Sequence, residues 1–161
     1  MKNFEKSRGW RNNNPLNIRK GEKWQGMRYC QTDILFCQFT DQSWGYRAAA
    51  KVLRSYYRYM AQQGQRFCVQ TIIARWAPDC ENNTEAYVRR VAELTGFGRN
   101  EKLASPSTHE GAWQMGVLMA AMTCVECGCE WEDLKFYNIS LGIWMALHIA
   151  IDLYDIRDVK K

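Results

Sequence analysis

The chain has 161 residues, of which 47% are hydrophobic and 24% charged, with a formal charge of +5. That length fits one domain, and the balance excludes a disordered chain or a fibrous repeat. Its longest apolar stretch, residues 139–151, is broken by Ser140 and His148 and falls short of the roughly 18 residues needed to span a bilayer, so no stable membrane insertion is expected.

Residues 1–40 are polar and turn-rich, and Asn12-Asn13-Asn14-Pro15 disfavours a helix there. Aromatic and apolar residues in 27–30 and 35–39 flank the polar Gln31-Thr32-Asp33, which predicts one small antiparallel β-hairpin. After Asp41 the spacing turns helical, with Ala49, Val52, Leu53, Tyr56, Tyr57 and Met60 recurring before Gly64. Val69 to Trp76 reads as a short helix closed by Ala77-Pro78, and Asn82-Asn83-Thr84-Glu85 starts another that Gly96 ends. Ser107-x-x-Glu110 is a capping box for a long apolar helix stopped by Gly128, and a last helix is expected over 140–152. The sum is a mainly α (α+β) fold: helices around one hairpin.

The basic residues are dispersed and carry no nucleic-acid fingerprint, so the mild positive field favours an anionic polymer without choosing one, and nucleic-acid binding is a weak reading. Seven cysteines, Cys30, Cys37, Cys68, Cys80, Cys124, Cys127 and Cys129, form an odd set with no apolar leader ahead of them, which suggests free thiols made in a reducing compartment. Cys124-x-x-Cys127-x-Cys129 lacks the second ligand pair of a zinc site, so no metal and no cofactor are expected. Serine-hydrolase, nucleotide-hydrolase and zinc-protease motifs are absent from the sequence.

Glu126 ends the long apolar helix. Poor solvation and the negative end of the helix dipole both favour its protonated form, the state a general acid needs to protonate a leaving oxygen. The plainer alternative is a carboxylate pointing to solvent where the helix frays. His109 reads as a surface residue and His148 as a core one. Trp24, Trp44, Tyr46 and Trp76 are residue types that stack on sugar faces, Trp24 in its polar loop most of all, whereas Tyr56 and Tyr57 read as core.

Arg8 to Arg19, Trp24-Gln25-Gly26, Phe36 to Phe39, Gly45 to Ala48 and Ile73 to Tyr87 together resemble a family of phage and prophage lysozyme-like proteins of the structural protein P5 type. The resemblance runs in consistent order over about residues 8–97, and residues 107–152 supply the C-terminal helices of what would be a single lysozyme-like domain over 1–161. The order also looks like the glucosaminidase and lytic transglycosylase branch of the lysozyme-like superfamily, where the catalytic Glu ends a helix before the Asn-Pro loop. Only ten residues precede Arg11 here, and Glu5 is the acid among them, while the helix ending in Glu126-Cys127-Gly128 has the expected form, so a circular permutation would account for both.

The resemblance implies cleavage of peptidoglycan glycan strands, with Glu126 as general acid, Trp24 as a stacking surface, Asn14 and Asn17 offering amides to substrate or to their own turn, and Tyr87 facing the scissile bond. Asp33, Asp79 and Glu81 are guesses for a second carboxylate. The alternative is a non-catalytic virion or cell-wall-binding protein with the same groove. Without a leader, export would rely on a holin-like pore, a virion or a secretion machine.

Overall fold

The computed structural model describes residues 2–153, and they are mainly helical. Six α-helices occur among them: α1 Arg8–Arg11, α2 Gln42–Gln62, α3 Val69–Trp76, α4 Thr84–Thr95, α5 His109–Cys127 and α6 Phe136–Leu147, with single 3-10 turns at Asn3–Lys6 and Trp131–Asp133. α1 and the first 3-10 turn fall in the stretch that the sequence marked as loop.

The middle helices follow their local chemistry. Asp41 caps α2 by accepting from Ser43 N, and Asn83 caps α4 by accepting from Ala86 N. Gly96 and Gly128 close α4 and α5 in the left-handed conformation, at φ 76° and 66°. The cap of α5 is Thr108, whose side chain accepts from Gly111 N, one residue later than the expected Ser107. α6 corrects the expected 140–152 span: it starts at Phe136 and stops at Leu147, because His148 takes φ 56° and caps it. Ile149 and Ile151 extended the apolar pattern without being helical. His148 is exposed, not a core residue.

α5 is the axis of the core. Its residues from Met115 to Cys124 are buried on every side, as an apolar helix without a polar face must be. α2, α4 and α6 pack around it, and the buried Tyr46 hydroxyl of α2 lies 3.1 Å from Thr123 Oγ1 of α5. One contiguous apolar cluster joins Phe4 to Leu153.

No β-hairpin forms. Among the described residues the backbone pairs only at two isolated antiparallel bridges, Met27 with Phe39 and Arg19 with Phe36. The physical reason is that side chains take the ladder's place. Gln38 Oε1 accepts from the backbone N–H of Thr32 and Asp33, Gln31 Oε1 accepts from Gln38 N, and Asp33 Oδ1 accepts from Leu35 N and Phe36 N. Arg8 then grips Asp33 with two hydrogen bonds of 2.7 Å each, and Asn12 Nδ2 adds a third donor at 2.8 Å.

The Arg8 guanidinium, followed by these amide donors, holds the Asp33 carboxyl well below the usual carboxylate range. A folded-state value below the unfolded one means that the group's stabilising contribution is complete above about pH 4, the unfolded value, and is lost as pH falls. Asp33→Asn is therefore expected to lower Tm by several degrees at neutral pH and to flatten the acid side of the stability profile. Thermal melts of both proteins from neutral to acid pH check it; parallel acid limbs would remove Asp33 from this role.

Candidate functional site

The site begins with Asn14. This side chain is fully buried, its Nδ2 donating to Ile18 O and Cys37 O at 2.9 Å each and its Oδ1 accepting from Ile18 N at 2.8 Å. Its polar atoms are spent on the backbone, so Asn14 shapes the loop and presents no atom to a ligand. Asn13 and Asn17 adopt φ of 50° and 51°, the left-handed region that asparagine tolerates better than most residues. The resulting turn aims Asn17 Nδ2 at Glu126 Oε2, 2.9 Å away.

The end of α5 meets this loop directly. Cys127 Sγ donates to Pro15 O at 3.3 Å, and α1 packs on the same end. Gly9 of α1 has no room for a side chain: a Cβ there would lie 2.9 Å from Asn14 O and 3.0 Å from Asn17 Oδ1.

Two further donors converge on Glu126. Tyr87 OH on α4 donates to Oε1 at 3.0 Å, and Trp76 Nε1 at the end of α3 donates to the same oxygen at 3.3 Å. Tyr87 is buried, and burial followed by the adjacent Glu126 charge pushes its ionisation well above the ordinary phenol range. It therefore stays a phenol and a donor. Burial likewise pushes the Cys127 thiol up to about 12, leaving it uncharged beside the acid.

Glu126 opens into a hollow of about 150 Å³ whose wall includes Phe36, Trp76, Ala77 and Glu81. An adjoining hollow of about 380 Å³ holds Trp24, Val52 and Tyr56 with Lys20 and Glu22. Asn17, Arg19 and Trp76 line both, so the two make one groove running from the carboxylate to Trp24. The ring of Tyr56 meets Trp76 edge-on at 6.2 Å, and the Arg75 guanidinium lies over Tyr56.

The structure thus brings Asn17, Trp24 and Glu126 to one groove, joins Tyr87 to it only through the bond to Glu126, and buries Asn14 within the loop. Trp76, Arg19 and Tyr56 are additions. The sequence marks Trp76 only as a stacking aromatic, and nothing in its spacing announces that its indole N–H faces Glu126. Tyr56, read as core, lines the groove instead, whereas Tyr46 is core. Of the three other acids, Asp33 is occupied by Arg8 and Asp79 is exposed, and neither lines the groove. Glu81 alone lines the hollow with Glu126, paired to Arg19 at 2.9 Å. Glu22, which the sequence did not single out, lines the larger hollow.

All seven cysteines are free thiols, and among the described residues no group of His, Cys, Asp and Glu is arranged to hold a metal ion. His109 and His148 are exposed and line neither hollow. Chemically, the groove offers one half-buried carboxyl group among neutral hydrogen-bond donors, beside aromatic faces.

The chain is 43% identical over 104 residues to Protein P5 of Pseudoalteromonas phage PM2. It is related to a phage protein. The match covers 62% of this chain and spans 62% of the phage protein's length. No established protein-family profile matches the chain.

A hydrogen bond contributes about 0.5–1.5 kcal/mol, or about 1.5–3 when one partner is charged, and an acceptor that loses its donor in a half-buried site is not compensated in full by water. Tyr87→Phe is expected to destabilise the fold by about 1–3 kcal/mol in urea denaturation. A change below about 0.5 kcal/mol, the scatter of surface substitutions, would mean that the Tyr87–Glu126 bond is not formed in solution.

Proposed function

We propose that the chain cleaves the glycan strand of peptidoglycan, as a muramidase, glucosaminidase or lytic transglycosylase, with Glu126 as general acid. The observation that carries this reading is the convergence of Asn17, Trp76 and Tyr87 on the Glu126 carboxyl group at the floor of an aromatic-lined groove. A carboxyl group so placed can give a proton to a glycosidic oxygen, and the three donors hold it in one orientation and stabilise the carboxylate that the transfer leaves. Trp24 and Trp76 offer flat faces to pyranose rings, and Asn17 with Tyr87 offers polar atoms near the reacting centre.

The lysozyme-like resemblance and the relation to a phage protein agree with such a substrate. A circularly permuted lysozyme-like order would explain why the acid is reached from the C-terminal part of the chain while the Asn-Pro loop comes first. The end of α5 lying against that loop, across more than a hundred residues of sequence, is the arrangement such a permutation requires.

A second reading has an observation of its own. Both Glu126 oxygens already accept bonds from inside the protein, as those of a carboxylate would if it served to anchor three segments. On that reading the chain binds glycan without cutting it, as a virion or cell-wall-binding module.

Glu126→Gln separates the two. Glutamine keeps the outline but delivers no proton, so turnover should fall by about 10²–10⁴-fold with the fold intact. The measurement is release of soluble muropeptides from purified peptidoglycan, with melting temperatures matched and cosedimentation recorded alongside. Equal release by the variant and the wild type would remove Glu126 from the chemistry. A wild type that cosediments and releases nothing would establish the binding module.

A further inference from the structure

α2 carries Arg47, Lys51, Arg54 and Arg58 and no acidic residue from Gln42 to Gln62. Steps of four, three and four residues put these cations on one line along the helix. Among the described residues none of the four is in an ion pair with a carboxylate. Partial burial and then the neighbouring Arg47, Arg54 and Arg58 charges depress the Lys51 ammonium, so the line is held together against its own repulsion.

α6 lies against this helix. Gly142 lets the backbones close up, since a Cβ there would stand 2.6 Å from Tyr46 Cβ and 2.9 Å from Arg47 N. Arg54 Nη1 reaches Ala146 O at the end of α6, 3.5 Å away. α6 has no charged residue, and Tyr137, Leu141, Trp144 and His148 repeat the same four-three-four spacing. Tyr137 is 62% exposed and Trp144 51%. A cationic line therefore runs beside an aromatic one, while Val52 and Tyr56, on another side of α2, line the groove.

We propose that this α2–α6 face docks the protein peripherally on an anionic lipid surface, with Tyr137 and Trp144 in the headgroup zone and the α2 cations against lipid phosphates. Tryptophan and tyrosine settle at the membrane–water boundary because each has an apolar body and a polar tip. Lysine and arginine stems lie along apolar surface while their heads reach phosphate. An uncharged apolar helix beside a line of cations is the pairing that an interfacial contact with anionic lipid uses. No described helix is long and apolar enough to cross a membrane, so the contact lies on the surface. The groove stays open to a second polymer.

The test is sedimentation of the full chain with phosphatidylcholine vesicles and with an equimolar phosphatidylcholine–phosphatidylglycerol mixture. Binding is expected to the mixture and not to phosphatidylcholine alone. Arg47→Gln/Lys51→Gln/Arg58→Gln, which spares Arg54 because it bonds α6, should weaken it roughly 100-fold, at about five-fold per cation. Arg47→Lys/Arg58→Lys keeps the charge and should bind as the wild type does, which guards against a loss of folding. Tyr137→Ser/Trp144→Ser should weaken binding to the same vesicles with its melting temperature retained. Equal sedimentation with both vesicle types, or a charge variant that binds like the wild type, overturns the proposal. So does retention of duplex DNA without vesicle binding, which would assign the line to nucleic acid, or a Trp144-dependent dimer, which would assign the face to a second copy.

Discussion

A carboxylate at the last turn of a helix stands where the backbone presents its own carbonyls, so the helix gives it no compensation. In this protein the compensation for Glu126 comes from elsewhere: Asn17 from the loop after α1, Trp76 from the end of α3 and Tyr87 from α4. Each donor must be delivered to one point from a different part of the chain. Much of the fold answers that requirement. The buried Asn14 fixes the loop that turns Asn17 inward, Gly9 lets α1 approach the end of α5, and the all-round burial of α5 fixes where its last turn emerges.

The same arrangement separates rigidity from access. Behind Glu126 the side chains are closed off, with Cys127 bonded to Pro15 O and the Tyr46 hydroxyl at Thr123. In front of it the groove is walled by α2, the end of α3 and two loops, and the loops meet at the exposed Arg19–Glu81 pair, which contributes little to stability.

The sequence made much of this legible where local rules govern. α2 to α5 follow from apolar spacing and from Asp41, Asn83, Gly96 and Gly128, whose capping chemistry acts within a few residues. The missing hairpin and the boundaries of α6 were not legible. Gln31, Gln38 and Asp33 are ordinary turn residues until the fold brings their side chains onto the backbone, and His148 gives no sign in sequence of its left-handed conformation. At the site, Glu126 could be singled out because an acid on an apolar helix is anomalous. Asn14 and Asn17 looked alike, and only the tertiary structure separates the one that holds the loop from the one that faces the acid. Trp76 could be marked as an aromatic able to stack, but the bond of its indole N–H to Glu126 is hidden for the same reason, since only the tertiary structure brings the two together.

The central claim is that the groove over Glu126 is where glycan sits, and it is tested most directly by the indole N–H signals of the seven tryptophans in an amide-correlation NMR titration with soluble N-acetylated glycan fragments. The account predicts that Trp24 and Trp76 shift together and saturably, while the buried Trp131 stays in place. Saturable shifts confined to tryptophans outside the groove, or no shift at Trp24 and Trp76 at saturating glycan, would contradict it.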